Sequence, residues 1–124
     1  ALSAAVCMTN IEIMQKNELI ARASELGQET MRALQVAAER LEIIGEVRGR
    51  GLMIGIELVA SRDTKEPLSG ERMEKVVGSL LSRGVIMVPC GRNGNVLRLM
   101  PSLTITREYM QKAVDILVSV LEEC

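Results

Sequence analysis

Leu52-Met53-Ile54-Gly55-Ile56-Glu57-Leu58-Val59 is the stretch that decides the fold. Leu52, Ile54, Ile56 and Leu58 alternate with Met53, Gly55, Glu57 and Val59, the period of an extended strand. Both faces are mostly apolar, which places this strand centrally in a sheet. Ahead of it, Ile43 to Val47 is short and β-prone, and Arg48-Gly49-Arg50-Gly51 interrupts the pattern as a tight turn between strands. Behind it, residues 60–70 are polar and carry Pro67, Ser69 and Gly70, the composition of a loop.

Farther out the period becomes helical. Leu2, Ala5, Val6, Thr9 and Ile13 share one stripe over residues 2–15. Asn17 stands where a second helix needs a cap. That helix runs to about Leu41, with Leu19, Ala23, Leu26, Thr30, Leu34, Ala38 and Leu41 along one side. Gly27 within it costs about 1 kcal/mol against alanine, which marks close packing or a bend. On the other side, Ser69 caps a third helix with Met73, Val76, Val77, Leu80 and Leu81 facing inward, and Gly84 stops it. Val85 to Val88 reads as a strand, and Asn95 to Met100 as another. Asn93-Gly94 joins them as a type I′ turn, and Pro101 ends the second. Thr106 caps a last helix whose Met110, Ala113, Val114, Leu117 and Leu121 face inward. This order predicts an α+β domain: a small, mainly antiparallel sheet packed against helices.

A chain of 124 residues fits one domain that buries its apolar surface without disulfides or metals. Apolar residues are 48% and charged residues 25%, an ordinary globular balance. Tyr109 is the only aromatic residue, so the core is aliphatic, with eight methionines to fill its gaps. Fifteen basic and sixteen acidic residues leave a net charge of −1, so no broad basic field draws nucleic acid or anionic lipid. Stacking aromatics for single-stranded nucleic acid are missing as well. No apolar run approaches the ~20 residues of a membrane span, and the N-terminus lacks the pattern of a signal peptide. Cys7, Cys90 and Cys124 have neither disulfide-framework nor metal spacing, and read as buried or inert thiols of a reducing, cytoplasmic setting. The absence of histidine removes Ser-His and Cys-His catalysis and most zinc sites.

Arg98 carries the most chemical information. Leu97 and Leu99 flank it, and Val96 and Met100 share its own face. A guanidinium among apolar neighbours calls for an anion, because an unpaired buried charge is very costly. Guanidinium also binds carboxylate through two parallel bonds. One reading is therefore a clamp for a substrate carboxylate. The other is a structural ion pair, with Glu57 across the sheet as partner, or a solvated arginine on an edge strand. Spacing alone favours this second reading, since structural ion-pair networks are common. Arg48-Gly49-Arg50-Gly51 runs into a strand and does not open a helix, which argues against a phosphate loop. Lys16, Lys65, Lys75 and Lys112 fall among charged neighbours, where nothing depresses a lysine pKa for nucleophilic work. The carboxylates are scattered over solvated helix faces. The residues by themselves show no complete catalytic set.

Two stretches together carry a family resemblance. Gly45-Glu46-Val47-Arg48-Gly49-Arg50-Gly51-Leu52-Met53-Ile54-Gly55-Ile56-Glu57-Leu58 is one. The other comprises Gly84-Val85-Ile86 and Gly94-Asn95-Val96-Leu97-Arg98-Leu99-Met100-Pro101-Ser102-Leu103-Thr104-Ile105-Thr106. In this order they resemble the C-terminal segment of class III (ω-amino-acid) aminotransferases, and the resemblance covers essentially the whole chain. It implies the C-terminal small domain of the type I fold for pyridoxal phosphate. Residues 1–41 would be helices leading from a large domain outside this sequence, and residues 42–124 the small α+β domain itself.

The resemblance also implies an activity: transfer of an amino group from an ω-amino acid to a 2-oxo acid such as 2-oxoglutarate, in a homodimer. The family's lysine for pyridoxal phosphate, and most of its cofactor contacts, would lie ahead of Ala1. This chain would then hold no catalytic or cofactor-binding residue and would be inactive alone. Arg98 matches the arginine of the family's Asn-x-x-Arg-x-x-Pro motif, which binds a substrate carboxylate, and this reverses the preference drawn from spacing. Ser102 stands where many relatives have a second proline. Within the class the pattern is most like 4-aminobutyrate aminotransferases, with ornithine, acetylornithine and diaminobutyrate enzymes as neighbours. A non-enzymatic small-molecule-binding or regulatory α+β domain of the same architecture is the alternative.

Overall fold

A computed structural model describes residues 1–124. Helix α1 spans Leu2–Lys16 and α2 spans Leu19–Arg40. Strands β1 (Ile44–Arg50), β2 (Met53–Ser61) and β3 (Glu66–Pro67) follow. Then come α3 (Gly70–Ser82), β4 (Val88–Cys90), β5 (Val96–Leu99) and α4 (Arg107–Glu122). The sheet runs β1-β2-β5-β4 with β3 added to β2, and every pairing is antiparallel. The α+β reading holds and β2 is central, although only its Ile54, Ile56 and Leu58 face lies in the core and Met53 on the other is exposed.

One face of the sheet is the core. Ile44, Ile54, Ile56, Leu58, Leu97 and Leu99 join Leu34 of α2, Val76 of α3 and Leu117 of α4 in a single aliphatic cluster. Such packing, at roughly 25 cal/mol per Å² of apolar surface removed from water, is the main favourable term in folding. Helix α1 contributes no buried residue; Leu2 is 80% exposed and Met8 61%.

Local chemistry explains most element ends. Ser69 Oγ accepts from the Arg72 amide and Thr106 Oγ1 from the Tyr109 amide, as N-caps do. Gly84, at φ +85°, donates its N–H to the Leu81 carbonyl while Val85 donates to Leu80, a Schellman stop. That stop takes Val85 out of the expected strand at 85–88, and the strand forms later, at Val88–Cys90. Asn17 is not the cap of α2. It ends α1, and Glu18 at φ 50° starts α2 with no side-chain cap. The last turn of α2 is closed from a distance by Arg62, which donates to the carbonyls of Ala38, Leu41 and Ile44.

The expected turn at 48–51 is shorter than its composition suggests. Arg48, Gly49 and Arg50 are strand residues, and only Gly51-Leu52 makes the turn between Arg50 and its partner Met53. Gly51 takes φ +55°, the left-handed region that suits glycine at the first position of such a turn. Gly27 packs against it: a β-carbon there would lie 2.7 Å from the Gly51 Cα and nearer still to the carbonyl, so close packing and not a bend accounts for this glycine. Leu81, expected inside, is 59% exposed.

Candidate functional site

Sheet geometry sets the site. Directly opposed residues of neighbouring strands project to one face. On the face away from the helices, Arg48 of β1 stands opposite Gly55 of β2, Gly55 opposite Arg98 of β5, and Arg98 opposite Val88 of β4. The adjacent row is Glu46, Glu57, Val96 and Cys90. Leu97 and Leu99, flanking Arg98, are buried on the core side, while Arg98 is exposed.

The hairpin that carries Arg98 is held by Asn95. Its Nδ2 donates to the Leu58 carbonyl at 2.7 Å, and its own carbonyl accepts from the Leu58 amide at 2.8 Å. Asn95 is one of only two buried polar residues, and both of these bonds tie β5 to β2. The loop between β4 and β5 is longer than the predicted pair. Cys90 faces Val96, so Gly91 to Asn95 all lie in the loop. Gly91 and Gly94 take positive φ while Asn93 does not, so the type I′ turn is not formed.

Glu57 is not the partner of Arg98. Its Oε2 accepts from Arg48 Nη1 at 2.7 Å, and the same nitrogen donates to Glu46 Oε2 at 2.6 Å. The hydrogen bond to Glu57, with Glu46 nearby, raises the Arg48 pKa above its ordinary value. Arg98 makes no ion pair and donates no side-chain hydrogen bond within the chain. It also borders a cleft of about 550 Å³ beside the short strand β4 and helix α4. Val85, Ile86, Val88 and Tyr109 line this cleft with Arg83 and Lys112, and no carboxylate does. An exposed, unpaired guanidinium is chemically suited to an anion.

The lysines offer no comparable setting. Lys16, Lys65, Lys75 and Lys112 are all exposed, and Lys75 pairs with Glu71 at 2.8 Å. At the N-termini of α3 and α4, Ser69 and Thr106 each accept one backbone amide. Cys7 and Cys124 are exposed and Cys90 half-buried, so of the two readings, buried or inert, burial does not apply. No helix is long and apolar enough to cross a membrane.

Comparison with known proteins accords with this geometry. A family model described as aminotransferase class-III matches residues 1–121. A 4-aminobutyrate aminotransferase of Mycobacterium leprae is 39% identical over 97% of this chain and 26% of its own length. An alanine/serine racemase of Pyrococcus horikoshii is 35% identical over 96% of the chain and 24% of its own length. A leucine/methionine racemase of Thermococcus litoralis is 42% identical over 85% of the chain and 23% of its own length. Among solved structures, a Bacillus anthracis aminotransferase superposes with a TM-score of 0.87 at 31% identity, over 97% of this chain and 28% of that one. The chain thus spans about a quarter of the length of the curated relatives it matches.

Proposed function

Because this chain belongs to the class-III aminotransferase family, we propose that it is the C-terminal portion of an enzyme that moves an amino group from 4-aminobutyrate to a 2-oxo acid such as 2-oxoglutarate. Arg98 is the residue of this chain that holds a substrate carboxylate. One observation carries the assignment. Arg98 is exposed, its guanidinium is unpaired, and the residue borders a carboxylate-free cleft on a strand that Asn95 anchors.

Enzymes of this family use pyridoxal phosphate, which acts as an electron sink when bound. None of the four lysines of this chain is buried, which supports reading the cofactor's site as formed elsewhere in the protein. We place the cofactor's lysine on the part of the protein ahead of Ala1. In this arrangement residues 1–41 lead in from a large domain, residues 42–124 form the small domain, and the whole enzyme is a cytoplasmic homodimer. The contribution of this chain is to bind and orient the acid group. A bidentate guanidinium–carboxylate pair fixes both distance and direction.

The whole enzyme with Arg98→Gln provides the test. A donor bearing a carboxylate should lose about tenfold to a hundredfold in kcat/KM, the loss of a charge-assisted pair. A primary amine without an acid group should react as before. Equal rates with the carboxylate donor would overturn the assignment. The likeness to the two racemases supports a second reading, in which the same clamp holds an α-amino acid for racemisation. Interconversion of D- and L-amino acids without consumption of 2-oxo acid would favour it.

A further inference from the structure

Two arginines flank Gly55 on the open face of the sheet, Arg48 on β1 and Arg98 on β5. Glu57, the next residue of β2 on that face, is diagonal to both, roughly 7–8 Å away between Cα atoms. Long side chains cross such a span. Gly55 has no side chain, so no β2 side chain stands between the Glu57 carboxylate and either guanidinium; on the Arg98 side Val96 Cγ1 leans over it, 3.3 Å from where a Gly55 β-carbon would lie. The carboxylate nevertheless bonds only Arg48.

The cause lies one row along. Glu46 faces Glu57 directly across the β1–β2 pairing, and like charges so placed destabilise a sheet. Arg48 Nη1 sits between the two carboxylates and bonds both, at 2.6 and 2.7 Å. Arg98, also diagonal to Glu57 but with Val96 beside the path, is left with no internal acid.

We infer that Arg48 is a positioning residue for carboxylate recognition: by holding Glu57 it keeps the Arg98 guanidinium open to an incoming acid. The inference rests on the reading of Arg98 as a substrate clamp. Without Arg48, Glu57 turns across Gly55 to Arg98 and competes with the ligand as a tethered carboxylate. The apparent affinity then falls by the fraction of time Arg98 is occupied.

The test uses the whole holoenzyme and the Michaelis constants of two donors, one with a carboxylate and one a primary amine without it. Arg48→Gln should raise the constant for the carboxylate donor roughly threefold to tenfold and leave the other unchanged. Adding Glu57→Gln should restore it, and Glu57→Gln alone should leave it at or below the wild-type value. If Arg48→Gln affects both donors alike, or Glu57→Gln fails to rescue it, the positioning role is wrong and Arg48 is only structural. If Arg48→Gln changes nothing while Arg98→Gln raises the carboxylate constant, the inference fails and the clamp stands. If Arg98→Gln changes nothing, the clamp itself fails. Should Arg48→Gln not fold, Glu57→Gln still decides: weaker carboxylate binding in that variant would overturn the proposal.

Discussion

Replacing Gly27 by alanine should destabilise the protein, against the expectation for a glycine in mid-helix. Helix propensity alone favours alanine by about 1 kcal/mol. The structure reverses the sign. The new β-carbon would meet the Gly51 backbone, 2.7 Å from its Cα and closer to its carbonyl, where contacts under 3.0 Å are essentially never seen. Neither side can rotate away: α2 is a 22-residue helix, and Gly51 is pinned in a turn at φ +55° with buried Leu52 beside it. Overpacking of this kind costs about 1–3 kcal/mol, and more where backbone must move. Because the contact is with backbone, the upper end of that range applies, and the net loss should be about 2 kcal/mol. Gly78 in α3 is the control, because a β-carbon there meets nothing within 4 Å. Gly78→Ala should gain about 1 kcal/mol. Both substitutions change the unfolded chain in the same way, so their difference isolates the contact with Gly51. Equilibrium urea unfolding followed by far-UV circular dichroism reads both as midpoint shifts at unchanged slope. A Gly27→Ala protein as stable as Gly78→Ala would refute the reasoning.

Two other predictions follow from side chains. Asn95→Ala should cost about 0.5–1.5 kcal/mol in the same unfolding assay, because the Leu58 carbonyl loses one of its two donors and keeps the Leu68 amide; it should also loosen the strand that carries Arg98, seen as faster amide exchange over 96–99. The Arg83 hydrogen bond holds the Glu123 carboxyl below the usual carboxylate range, with Ser119 assisting. Since the folded-state value is the depressed one, the stabilisation is present above the ordinary carboxylate pKa and is lost as pH falls through the depressed value. Arg83→Ala should return the Glu123 titration, followed by NMR, to the ordinary range.

Most of the helices and the central strand are legible in the sequence, because their signals are local. Ser69 and Thr106 cap as their positions suggest, and Gly84 stops α3. The alternation from Leu52 to Val59 identifies β2 and its core face. The Asn95-to-Pro101 segment marks the strand of Arg98, and family likeness points to that residue. The misses have two sources. Val85 is taken by the neighbouring helix stop, while distant groups act elsewhere: Arg62 closes α2 from beyond β2, and Asn95 is committed to Leu58.

What the one-dimensional pattern determines is which residues share a face, since periods of 3.6 and 2 are properties of the local backbone. What only the tertiary structure decides is which strands lie side by side and in what register. The order β1-β2-β5 sets Gly55 between Arg48 and Arg98 and brings Glu46 opposite Glu57. Arg98 is far from the others along the chain, and no local propensity encodes its meeting with β2. Glu57 therefore bonds Arg48 and leaves Arg98 without an acid for a reason that exists only once the sheet has formed.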